Sequence, residues 1–193
     1  NAEVENGARQ KPERRGGIEI SLSSPIREKI AWAEGCYRRV GGRIEKDGKI
    51  AEHLFRFRTA FAGSQREMAA LGLDAICTAC DRDEGGSCCG AGLEDRYDGW
   101  LLLINLLLGV PLPSARRNPE SCYFLGEQGC RLQARHVICV NYLCRKITDR
   151  IGPGRLIPMR NMEEEELTAL FHLKERVRRI VLSGTELLIS SRR

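Results

Sequence analysis

The sequence predicts a mainly α-helical domain with an irregular cysteine-rich metal-binding region in its middle. Three observations predict it. Apolar residues recur at helical spacing on either side of that region. Eight of the nine cysteines fall between Cys77 and Cys144. Those cysteines sit among Gly, Asp, Asn and Gln rather than on apolar helical faces. At 193 residues the chain can bury a real core, since a 150-residue domain already buries about 68–70% of its unfolded surface. Hydrophobic residues make up 42% and aromatic residues 6%, so that core should be aliphatic. The expected organisation is a disordered tail over 1–17 and one domain over 18–193. Within the domain, 18–76 holds N-terminal helices, 77–144 the cysteine region with a buried helix, and 159–193 a C-terminal helix.

Each element has a local reason. Asn1 to Gly17 is polar and charged, with Val4 its one strong apolar residue, which suits a tail. Ser24 is placed to cap a helix with Pro25 in its first position, and Ile26, Ile30, Ala33, Tyr37 and Val40 follow at helical spacing until Gly41-Gly42 ends it. Cys36 lies beside that apolar face and reads as a packed thiol. A second helix is expected after Asp47-Gly48, with Ile50, Leu54, Phe57 and Phe61 on one face, His53 at its boundary and Gly63 past its end. Ser64 to Glu67 has the form of a capping box and should open a short helix through Met68, Ala69 and Leu71 to Gly72.

Glu94 to Leu108 predicts a helix apolar nearly all round, carrying Tyr97, Leu101, Ile104 and Leu108 and stopped by Gly109, Pro111 and Pro113; such a helix belongs in a core. Asp95 and Asp98 flank Tyr97 as carboxylates favoured at a helix N-terminus. Tyr123 to Leu125 and Val137 to Leu143 fit strand or helix equally. Ile151 to Pro158 reads as a connector. Asn161 is placed to cap the final helix, with Glu163 to Glu166 in its first turns, Leu167, Leu170, Val177 and Val181 on its inner stripe, and solvated charges from Lys174 to Arg179. Ser183-Gly184 is expected to end or bend it before Leu187 to Ile189.

The cysteines carry the chemistry. The first half reads Cys77-Thr-Ala-Cys80, then Asp81 to Ser87, then Cys88 and Cys89 beside Gly90, Ala91 and Gly92; the second reads Cys122 to Cys130, then Cys139 and Cys144. A C-x-x-C turn brings two thiolates onto one ion, and neighbouring glycines let backbone amides approach sulfur closely. A disulfide framework is the competing use. Disulfide-linked Cα atoms usually lie about 4.4–6.8 Å apart, whereas trans neighbours lie about 3.8 Å apart, so Cys88 and Cys89 should not bridge each other. Scattered buried thiols and a catalytic pair also compete, and a pair would leave most of the eight unexplained. Eight thiols suit two four-thiolate sites, or one site with spare thiols, and zinc or an iron–sulfur cluster would serve. The predicted ligands are Cys77, Cys80, Cys88, Cys89, Cys122, Cys130, Cys139 and Cys144. His136 is an additional candidate. Arg82, Arg131, Arg135, Arg145 and Lys146 are placed in sequence either to offset thiolate charge or simply to face solvent.

The vicinal pair after C-x-x-C, followed by Cys122-Tyr-Phe-Leu125, Gly129-Cys130, an arginine and further cysteines, resembles the YkgJ-type cysteine-cluster family of zinc- or iron-chelating domains. The resemblance covers a little over a third of the chain. The family usually has a shorter gap than Asp81 to Ser87, and Arg-Pro where this chain has Arg135-His136. What the resemblance implies is metal chelation, with the metal as partner.

Other classes are weaker. The run from Trp100 to Pro113 is short of the roughly 20 residues a spanning helix needs, so no membrane segment is expected. A formal charge of +5 is modest, and pairs such as Arg38-Arg39, Arg116-Arg117 and Arg178-Arg179 read as solvated surface, so nucleic acid is not an expected partner. A zinc-dependent nucleic-acid binder therefore stands last. An iron–sulfur enzyme similar to the flagellin lysine methylases, whose cysteine cluster resembles this one, stands second; no cofactor motif for methyl transfer accompanies it. The cysteine density lies below that of a secreted disulfide scaffold, which favours a reduced, cytoplasmic setting. The chain opens on Asn1 rather than methionine, as trimming of an upstream segment would leave it, so the lack of a signal peptide says little about location.

Overall fold

The computed structural model describes residues 20–83 and 88–190, the side chains of 81–83 and 184–190 excepted. The expected tail over 1–17, most of the gap between Cys80 and Cys88, and the side chains of Arg82 and of Leu187 to Ile189 lie outside the described residues. The protein is mainly helical, as the spacing predicts.

Helix α1 spans Ile26–Glu45 and starts after Pro25, so Ser24 is not its cap. It also runs through Gly41-Gly42, because Gly41 is buried under the Tyr37 ring: a Cβ there would meet Tyr37 Cδ2 at 2.9 Å. That close approach offsets the roughly 1 kcal/mol that an interior glycine costs a helix. Asp47 caps α2 (Gly48–Ala70) by accepting from the Ile50 amide at 2.9 Å. This helix absorbs Gly63 and the Ser64 to Glu67 segment, both expected to divide it. Gly63 and Ser64 are buried against the last helix, and a Cβ at Gly63 would lie 3.3 Å from Met162 Sδ. Tertiary packing overrides the local stop signal.

Gly72, with φ of 69°, turns the chain into α3 (Leu73–Asp83). A 3-10 turn, Leu93–Arg96, precedes α4 (Gly99–Leu107), so the predicted Glu94 to Leu108 helix is broken at Asp98, which caps α4 by accepting from Leu101 N at 2.8 Å. Gly99 is required by packing, since any side chain there would run into the Trp32 ring. Strands β1 (Leu125–Gly126) and β2 (Gly129–Cys130) form an antiparallel hairpin turned at Gly129, whose φ is 101°. Helices α5 (Val137–Asn141) and α6 (Arg145–Arg150) follow. The last helix, α7 (Pro153–Ser190), starts earlier than expected: the supposed connector is helical through Pro158, Pro153 takes the tolerated first position, and neither Asn161 nor Ser183-Gly184 marks an end.

Helices α2 and α7 make the most extensive pairing and run antiparallel: Arg176 of α7 bonds Asp47 at the start of α2 (3.0 Å), while Met162 faces Gly63 near its end. Helix α4 lies against α1 and α7, with Trp100 edge-on to Trp32 at 4.9 Å. Its Trp100 to Ile104 run is buried on every face, as predicted. A smaller second core joins α3, α6 and the start of α7 through Leu73, Ile147, Ile151 and Met159. Among the described residues no helix is long and apolar enough to cross a membrane.

Candidate metal centre

The loops that carry the cysteines are fastened to the helices by buried polar side chains. Asn105, fully buried in α4, uses its whole hydrogen-bonding capacity. Its Nδ2 donates to the carbonyls of Leu101 and Ala134, both at 2.9 Å, and its Oδ1 accepts from the amides of Gln133 (2.9 Å) and Ala134 (3.1 Å). The segment between Cys130 and Cys139 is thereby tied to the core. Glu94, also buried, plays the same part for the other loops. Its carboxylate accepts from Gly92 N at 3.0 Å and Tyr123 N at 3.3 Å, and pairs with Arg116, which also donates to the Ser121 carbonyl. Arg116 is thus a bridging cation, not the solvated residue expected from its pairing with Arg117. Lys174 and Arg176 likewise leave the expected solvated face: they pair with Asp98 and Asp47 across helices.

On this frame Cys77 and Cys80 lie one turn apart on α3, so their C-x-x-C is helical rather than a turn. Cys88 and Cys89 open the next described segment, Cys88 exposed and Cys89 half-buried against the main core. The Cys89 carbonyl accepts from the Cys122 amide at 2.7 Å, and Gly90 bridges Ser121. The hairpin sets Cys130 opposite Leu125. Cys139 in α5 receives the Tyr97 hydroxyl at 3.6 Å, and Tyr97 is itself buried against Phe124. Cys144 is the residue before α6, and Lys146 Nζ stands 3.5 Å from Cys80 Sγ. Cys36 is buried in the main core, the packed thiol its position predicts. No disulfide joins any of the nine.

The electrostatics follow from thiols partly desolvated by the chain around them and lying near one another, although Cys77, Cys88 and Cys130 are exposed residues. Burial, then the neighbouring sulfurs of Cys88 and Cys144, pushes Cys77 up to about 11. Burial raises Cys122 to about 12 against the Phe124 amide, which bonds its sulfur; Cys130 and Cys139 add to the rise. Burial also raises Cys130 and Cys139, opposed in both by the Arg135 guanidinium and, at Cys130, by the Leu132 amide. Cys89 donates to Cys88, which holds Cys88 down near 6 and Cys89 well up. Arg135, buried, bonds Glu166 at 3.2 Å and lies over Phe61, leaving its Nε without a hydrogen-bond partner. His136 caps α5, its Nδ1 accepting from Ile138 N at 3.3 Å, and burial lowers its pKa.

Thiols with amides and cations at hand are the donor chemistry zinc and iron–sulfur clusters use. Among the described residues, however, no three or more His, Cys, Asp or Glu side chains form a group that could hold a metal ion as they stand. Asn105, Glu94 and Tyr97 are the contributors that motif reading missed as such. For Asn105 the signal was present: one amide in an apolar run that otherwise needs no polar group. No family model, curated protein or solved structure matches the chain. Fold and composition together define a mainly helical protein, with eight of its nine cysteines borne on α3 and on the loops, hairpin and short helix that lead to α6.

Proposed function

We propose that this chain binds metal, coordinating zinc or an iron–sulfur cluster through Cys77, Cys80, Cys88, Cys89, Cys122, Cys130, Cys139 and Cys144. The ion holds the irregular region together or is itself the cargo handled. The observation that carries this is the meeting of the two cysteine halves: the Cys122 amide bonds the Cys89 carbonyl, and Lys146 beside Cys144 reaches Cys80. Soft thiolates select zinc or iron over hard cations. Among the described residues the region holds no regular structure beyond one hairpin and short helices, so an ion could supply what packing does not.

The test is metal and acid-labile sulfide content, with a visible spectrum, on protein purified without oxygen, followed by thermal unfolding before and after chelation. Stoichiometric zinc, or iron with matching sulfide, is expected, together with a fall in Tm on stripping. Metal present with an unchanged Tm would overturn the structural role and leave handling. A chain that takes up neither metal would overturn the proposal.

A further inference from the structure

We propose that the face formed by the C-terminal half of α1, the start of α2 and the stretch of α7 beside them binds the phosphate backbone of double-stranded nucleic acid without reading its sequence. The inference stands apart from the metal reading, since it uses none of the cysteines.

Along the chain the Arg38-Arg39 and Arg178-Arg179 pairs are far apart, and each by itself reads as solvated surface. The fold brings the segments that hold them together. Arg43 of α1 donates to the Ile180 carbonyl of α7 at 3.3 Å, and Asp47, between α1 and α2, pairs with Arg176 of α7 at 3.0 Å. Residues 38–49 and 174–179 hold nine cations and three acids. That excess of six is larger than the +5 of the whole chain, so the remainder is close to neutral and slightly acidic. Charge of one sign gathered on one side of a molecule draws in a polyanion and speeds its encounter.

Five of the cations are placed to meet it. Arg39, Arg43 and Lys46 follow one another at four and three residues and share a stripe of α1. Lys49 lies two positions past Asp47 and Arg179 three past Arg176, so they flank that ion pair on α2 and α7. All five are exposed, and among the described residues none pairs with a carboxylate. The other four are engaged or partly covered: Arg38 lies 4.0 Å from Glu34, Lys174 and Arg176 pair with Asp98 and Asp47, and Arg178 is half-buried. Of the three acids, Asp47 is held by Arg176 and Glu45 accepts from the Tyr37 hydroxyl at 2.8 Å, which leaves Glu175. The surface beside Arg43 is open, since a Cβ at Gly42 would meet nothing within 4 Å.

What the face lacks selects the partner. None of the large apolar side chains exposed among the described residues falls in either segment. A face that docks on a bilayer sets such residues beside its cations, to enter the acyl boundary. A single-strand groove offers aromatic rings on which bases stack. Cations alone suit the regular phosphate rows of a duplex, which carries one negative charge per about 1.7 Å of its axis.

The test titrates the full chain into a short fluorescein-labelled DNA duplex of mixed sequence and reads fluorescence anisotropy at rising salt. Five phosphate contacts give a slope of about −4.5 in log affinity against log salt, so affinity should fall roughly 500-fold between about 50 and 200 mM. A duplex of unrelated sequence should bind equally. Lys46→Glu/Arg179→Glu removes two contacts; it should weaken binding at least about tenfold at the lower salt and flatten the slope to about −2.7. Its circular dichroism should not change, because neither side chain is hydrogen-bonded or ion-paired in the fold. Arg155→Glu, the same reversal at an exposed site near the other end of α7, should alter neither affinity nor slope. Absence of binding at the lower salt, a flat salt profile, or an equal loss in Arg155→Glu overturns the proposal. So does tighter binding of a single strand of the same length, or capture by phosphatidylserine vesicles without binding to the duplex.

Discussion

The main core around α4 and the small core between α3 and α6 are built on different terms. In the first, apolar side chains from α1, α2, α4 and α7 close on one another, and Asn105 and Glu94 satisfy the backbone groups of the loops laid against them. In the second, four buried residues from α3, α6 with its C-terminal end, and the start of α7 meet, with Cys144 at the edge of the contact. Apolar burial is worth roughly 25 cal/mol per Å², so a core of this size contributes little against the entropy of ordering the segments that carry it. The difference teaches where a metal would matter. The main core can stand without one, whereas the small core is where an ion would make up a deficit.

The largest expected effect breaks the main core. Replacing Asn105 by Leu keeps the volume but takes the partner from the buried Ala134 amide and carbonyl and from the part-buried Gln133 amide. At about 1–3 kcal/mol for each buried orphaned group, the loss should be at least about 2 kcal/mol by chemical denaturation. A loss below about 1 kcal/mol would show that the loop is held otherwise.

Metal removal is next and should fall on the other side of the comparison. With free metal about 100-fold above its Kd, the ion contributes about 2.7 kcal/mol. Stripping it should speed amide exchange in α3 and α6 and leave α4 protected; equal loss in both cores would erase the distinction. Binding should also strengthen as pH rises. Cys77 near 11 and Cys122 near 12 are protonated at neutral pH, so each thiolate formed on an ion releases a proton, and acid opposes it. Affinity measured at two pH values checks the sign; a flat profile would indicate ligands other than these thiols.

Glu94→Gln sharpens the main-core side. Glutamine keeps an acceptor for Gly92 and Tyr123 but gives up the charge that faces Arg116. About 1.5–3 kcal/mol is typical for a hydrogen bond to a charged group, and Arg116 is partly exposed, so a loss near the lower figure is expected. Adding Arg116→Met in a double-mutant cycle should recover part of it, and strict additivity would mean the pair is not coupled.

These residues also mark what could be read in advance. The helices were legible because Ile26, Ile30 and Ala33, or Ile50, Leu54 and Phe57, follow a period that packing respects. Their ends were not. Gly41, Gly63 and Pro158 carry strong local stop signals, yet a ring over Gly41 and a close helix crossing at Gly63 suit a helical path, and neither contact is announced by the glycine itself. The same holds for the cysteines. Spacing singles out eight of them but gives no hint that Cys144 lies with α3 rather than with Cys139, because that depends on where α6 docks. Asn105 shows the opposite case: a lone amide in an apolar run already implied a buried polar duty, and only its partners were missing.

The smallest expected effect concerns the seam between α4 and α7. Asp98 does two jobs, capping α4 through Leu101 N and pairing with Lys174 on α7. The pair is only partly buried, with side-chain exposures of 29% for Lys174 and 21% for Asp98, so water and salt screen it and a contribution of about 0.2–1 kcal/mol is expected. Lys174→Met leaves the cap intact and removes the cation, and its cost should shrink further as ionic strength rises. Asp98→Ala removes both jobs and should cost about 1 kcal/mol more, the usual worth of an N-cap. If the two substitutions cost the same, the cap contributes nothing here, and the break in the predicted helix at Asp98 needs another cause.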